Sequence, residues 1–73
     1  MKRRLTDRQL AVYVAARTME REEGGFPGTR KLSTQLGCTA QNIHELYERL
    51  TERGWIKRVS RGVYAPVVEE VAA

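Results

Sequence analysis

Few side chains in this sequence could do chemistry. His44 is the lone histidine and Cys38 the lone cysteine, and there is no Gly-rich phosphate loop among the six glycines. One His and one Cys cannot supply the soft ligands of a structural zinc site, and a single Cys excludes an internal disulfide. Neither a nucleophile–base pair nor a nucleotide cradle can be assembled, so the expectation is a non-enzyme without metal, cofactor or small-molecule ligand. What remains is hydrogen bonding and charge. In LGCTAQNIHELYERLTERGWI, residues 36–56, the apolar residues Ile43, Leu46, Tyr47 and Leu50 recur at helical spacing. In front of them stand Thr39, Ala40, Gln41 and Asn42, which are small or amide-bearing and uncharged.

The elements that must position this stretch can be read from caps and breakers. With 73 residues, 41% hydrophobic and 30% charged, the chain has the composition of one small globular domain. Thirteen Lys and Arg against nine Asp and Glu give a net charge of +4, a bias toward polyanions such as nucleic acid. Thr6-Asp7-Arg8-Gln9 has the form of a capping box and Gly24-Gly25 a stop, which predicts a first helix over about residues 7–23. Thr29 is expected to cap a short helix, Arg30 to Leu36, with Leu32 and Leu36 stacked one turn apart and Gly37 ending it. Thr39 then caps a third helix, which Gly54 closes. Trp55–Val59 and Val63–Ala65 are β-rich runs joined by Ser60-Arg61-Gly62, and Pro66 is expected to interrupt further pairing. The expected organisation is a single domain, 1–73, with a basic arm at 1–5 and a tail at 66–73. No apolar run approaches the roughly 20 residues that span a bilayer, so the protein is expected to be cytoplasmic, without a membrane partner.

The spacing Leu32-Ser33-x-x-Leu36-Gly37-Cys38-Thr39-x-x-x-Ile43 is that of a helix-turn-helix. Ser33 suits a tight helix crossing, Gly37 the turn, and Ile43 and Leu46 the anchoring of the third helix. Cys38, where a valine-like residue usually stands in such turns, reads as a small buried hydrophobe. Three helices followed by a hairpin predict a mainly α fold with a small β-hairpin, a winged helix-turn-helix.

LTDRQLAVYVAA, GFPGTRKLSTQLG and YERLTERGWIKR resemble the DNA-binding domain of LexA-type repressors over about residues 5–58. LGCTAQNIHELYERLTERGWI is similar to the helix-turn-helix of MarR-like and GntR-like regulators, and RVSRGVYAP to the N-terminal winged helices of abortive-infection antitoxins. The resemblance implies sequence-specific binding of double-stranded DNA by a small transcriptional regulator, a repressor of a bacterium or phage, with the third helix in the major groove. On that basis Thr39 bonds a phosphate, Gln41 pairs bidentately with adenine, Ala40 packs on a thymine methyl and His44 is a second reader. Glu45 either accepts from cytosine N4 or pairs with Arg49. Asn42 either contacts DNA or makes a local cap interaction. Backbone contacts are expected from Thr29, Arg30 and Lys31 at the second helix, from Lys57, Arg58 and above all Arg61 on the hairpin, and from Lys2-Arg3-Arg4. Trp55 and Tyr64 are expected to pack in the core or at the root of the hairpin.

The LexA pattern includes a serine–lysine self-cleavage domain that has no counterpart in this sequence, so autoproteolysis is not expected. One module of this size covers only about 600–1,000 Å² on DNA, so dimerisation or cooperative binding is expected, with a homodimer as one form of it. Leu10 and Val14 widen the apolar stripe of the first helix beside Val12, Tyr13 and Ala16. They are expected to meet the tail valines Val67, Val68 and Val71, within one chain or across a dimer. The competing expectation is a protein-interaction module that docks on a polymerase or another regulator, since the third helix also carries several acidic residues.

Overall fold

A computed structural model describes residues 2–67 and contains α1 (Asp7–Glu23), α2 (Thr29–Leu36), α3 (Ala40–Glu52), β1 (Ile56–Ser60) and β2 (Val63–Pro66). The fold is mainly helical, three helices and then a two-stranded antiparallel hairpin, which is the expected layout. The capping box of α1 closes in both directions. Gln9 N–H donates to Thr6 Oγ1 at 3.2 Å and Thr6 N–H to Gln9 Oε1 at 3.1 Å.

One expectation about α2 needs correction. Thr29 does not cap it: Leu32 N–H already donates to the Gly28 carbonyl at 3.1 Å, so Gly28 is the cap residue and Thr29 the first helical one. Leu36 does not share the burial of Leu32, for it is 43% exposed while Leu32 is sealed. The helix has only two turns and the chain swings away at Gly37, which leaves Leu36 on the rim of a shallow groove with Arg8, Ala11 and Cys38.

Gly37 makes the turn in left-handed backbone, φ 71°, and its N–H and that of Cys38 both donate to the Ser33 carbonyl. Ser33 is buried, with its hydroxyl donating to the Arg30 carbonyl at 2.7 Å, so no orphan polar group is left at the crossing. A Cβ at Gly37 would meet open space, so only the backbone conformation resists substitution. Gly37→Ala is expected to destabilise the protein by about 1–2 kcal/mol, seen as a lower midpoint in thermal unfolding followed by circular dichroism.

The core lies where the three helices and the hairpin converge: Val12, Ala16 and Met19 from α1, Leu32 from α2, Ile43, Tyr47 and Leu50 from α3, and Ile56 and Tyr64 from the strands. Tyr47 sits at its centre. Its hydroxyl donates to the Pro27 carbonyl at 2.9 Å, and its ring meets Tyr64 edge-on at 5.1 Å between centroids and Phe26 at 5.7 Å. Burial, with Tyr64 adding to it, holds the Tyr47 phenol well above the usual tyrosine range.

The hairpin pairs Ile56 with Pro66, Lys57 with Ala65, Arg58 with Tyr64 and Ser60 with Val63, and slips by one residue between Arg58 and Ser60. Arg61 and Gly62 form the tip, Gly62 at φ 74°. Pro66 does not interrupt the pairing as expected; it is the last residue of β2, a strand end where its missing N–H is tolerated, and the next N–H, of Val67, still donates to the Trp55 carbonyl at 3.0 Å.

The backbone of the basic arm is docked against the molecule, while the Arg3 and Arg4 side chains are exposed. Arg3 N–H donates to the Arg53 carbonyl at 2.8 Å, the Arg53 guanidinium donates to the Arg4 carbonyl at 3.0 Å, and the Trp55 indole N–H donates to the Arg3 carbonyl. The Lys2 ammonium lies 4.9 Å from the Trp55 ring centroid, and that ring packs edge-on against Tyr13. The physical reason lies just past α3, where the Arg53 carbonyl is open to the Arg3 N–H, and the Arg53 guanidinium and Trp55 indole supply donors to the Arg4 and Arg3 carbonyls. Among the described residues no helix is long and apolar enough to cross a membrane.

Candidate functional site

Helix α3 is held from behind. Ile43, Tyr47 and Leu50 are completely buried and Leu46 is half-buried, which is the 3–4 spacing the sequence shows. The opposite face therefore turns outward, and Gln41, His44, Glu45 and Glu48 are exposed along it. At the leading end Thr39 Oγ1 accepts Asn42 N–H at 3.1 Å, so the cap uses the backbone of Asn42 and not its amide. Ala40 and Asn42 are half-buried, Ala40 beside the exposed tip and Asn42 facing a depression shared with Gln9 and Arg49.

The outward side chains are paired with one another along the helix. Gln41 Nε2 donates to Glu45 Oε1 at 3.4 Å, and His44 Nε2 lies 2.9 Å from Glu48 Oε1. The expected alternative of a Glu45–Arg49 pair is not formed, because Arg49 turns the other way to Glu52, 3.2 Å, and Glu45 is taken by Gln41. The His44–Glu48 pair was open to sequence reasoning, since an i, i+4 spacing on an exposed face is its whole signal.

Of the cations expected to contact a backbone, Lys31 is bound to Glu23 at 3.0 Å across the α1–α2 corner. Arg30 is exposed at the start of α2, next to a half-buried Thr29. Lys57, Arg58 and Arg61 are exposed on the hairpin, and among the described residues these three and Arg30 form no ion pair. Arg58 and Tyr64 line one depression with His44, Glu48 and Glu52, so the root of the hairpin adjoins the outer face of α3. Tyr64 is buried and Trp55 half-buried, each engaged in aromatic contacts.

Leu10 and Val14 remain at the surface, 46% and 53% exposed, whereas Val67 is tied to the root of the hairpin. Val68 and Val71 lie outside the described residues. Cys38 is half-buried at the turn, and among the described residues no cluster of His, Cys, Asp and Glu could hold a metal ion. No protein-family model matches the chain, and no curated protein matches its sequence.

Proposed function

We propose that the protein binds double-stranded DNA and acts as a small transcriptional regulator, a repressor, with α3 in the major groove and the hairpin as a wing against the phosphate backbone. One observation carries this reading: a helix sealed along its back presents an amide and an imidazole at its front, beside a hairpin whose three cations are exposed and without acidic partners among the described residues. A major groove admits such a helix, and short side chains at its tip permit close approach to base edges. Thr39, Ala40, Gln41, Asn42, His44 and Glu45 then face the bases or the nearest phosphates, while Arg30, Lys57, Arg58 and Arg61 set orientation through phosphates. A homodimer would double a limited contact area, and the exposed Leu10 and Val14 on α1 offer it an apolar surface.

The test is selection of bound duplexes from a random pool, followed by titration against salt. Enrichment of one sequence, with affinity falling steeply as salt rises, supports the proposal, and a palindrome would add the dimer. Retention of no duplex at low salt would remove it in favour of a protein-docking module, a reading that Glu45, Glu48 and Glu52, exposed along α3, keep in play. Arg61→Ala is expected to weaken all duplexes alike and to lower the salt slope by about one. Arg49→Ala is the control, since Arg49 is already neutralised by Glu52 and its removal should leave the slope unchanged.

A further inference from the structure

From the acceptor character of the outer face of α3, we infer that this face reads its duplex through amino groups, adenine N6 or cytosine N4, and not through guanine O6 and N7, and that Glu48 is the positioning residue that leaves the neutral His44 ring an acceptor. The inference rests on the proposed DNA-binding role and specifies what that role selects. Residues 40–48, AQNIHELYE, contain no Lys or Arg, so the commonest guanine contact, a cation on O6 and N7, is not available to this part of the helix.

The pairings sharpen that composition. An ionised carboxylate only accepts hydrogen bonds, so whatever faces it must be a donor. The ring nitrogen 2.9 Å from Glu48 Oε1 therefore carries its hydrogen, and in the neutral imidazole the lone pair is left on Nδ1. The same logic turns the amide nitrogen of Gln41 toward Glu45 and leaves Oε1 free, with one N–H to spare. The free capacity across Gln41, His44, Glu45 and Glu48 is thus dominated by acceptors. Every base pair carries one amino group in the major groove, on adenine or on cytosine, and selection becomes a matter of which strand presents it at each step.

The experiment takes the duplex enriched by the full chain and deletes single amino groups, with purine in place of adenine and 2-pyrimidinone in place of cytosine. Loss of about tenfold in affinity at one or two adjacent steps is expected, whereas 7-deazaguanine, which lacks N7, is expected to bind as guanine does. Glu48→Gln keeps an acceptor oxygen toward His44 and should keep the amino dependence. Glu48→Lys places a donor there, and the His44-dependent step should change to guanine in a repeated selection. Both changes lie on an exposed helical face, and circular dichroism confirms that the helices remain. A bound duplex that loses affinity with 7-deazaguanine and not with the amino deletions would overturn the inference while leaving DNA binding intact. Unchanged preference in Glu48→Lys would overturn the role of Glu48, and failure to bind any duplex would bring down the proposed function with it.

Discussion

Tyr47→Ala is expected to destabilise the protein by about 3–5 kcal/mol, a large fraction of the roughly 5–15 kcal/mol that stabilises a small domain. The side chain is completely buried, touches rings from the α1–α2 connection and from β2, and among the described residues is the one core side chain that also carries a long-range hydrogen bond, to Pro27. Removing it opens a cavity where three elements meet and leaves the Pro27 carbonyl without its partner. Tyr47→Phe separates the two contributions, because it keeps the ring and deletes only the hydroxyl; about 1–3 kcal/mol is expected from the orphaned acceptor. Urea unfolding checks both, as a lower midpoint at unchanged slope. A midpoint for Tyr47→Ala close to that of the parent would show that the core is organised elsewhere.

The same phenol makes the fold sensitive to alkali. Its acidity is weaker in the folded protein than in the unfolded chain, so the folded state holds the proton longer. The resulting stabilisation is complete below the ordinary tyrosine value of 10.0 and disappears progressively as pH climbs beyond it toward the raised folded value. In Tyr47→Phe this part of the pH dependence should be absent.

The second large effect concerns binding. Gln41→Ala and His44→Ala are each expected to weaken binding of the selected duplex by about 1–3 kcal/mol and to relax the sequence requirement at one base step, with the helices intact. Both side chains are exposed and bonded only to carboxylates on their own helix, so their loss takes nothing from the core. Competition between the parent duplex and single-step variants measures the effect. If these substitutions weakened every duplex equally, as Arg61→Ala should, the division between base readers and phosphate contacts would be wrong.

Most of the fold was legible because local signals agreed with one another. The capping box at Thr6–Gln9, the glycines at 24, 37 and 54, and the Ile43–Leu50 periodicity each specify local geometry, and the helices follow within a residue. Misplacements arose where a long-range or terminal effect decided. Thr29 is preceded by a glycine whose carbonyl begins the helix first. The docking of residues 2–5 depends on the carbonyl and guanidinium of Arg53 and the indole of Trp55, some fifty positions later in the chain, which no periodicity encodes. Within the candidate site, the outward set on α3 follows from periodicity alone. The pairing of Arg49 with Glu52 and not Glu45 does not, since i+3 and i−4 partners are equally reachable from the sequence.

The docking of Arg3 and Arg4 onto Arg53 and Trp55 also bears on how the molecule is made. Those contacts bridge separations of 49 and 52 residues, whereas the α2–turn–α3 unit closes over a few. During synthesis the opening residues leave the ribosome early and wait, without a berth, until the stem of the hairpin has followed them out. The helical pair can assemble meanwhile, so this clasp, which closes over the longer loop, should engage after it.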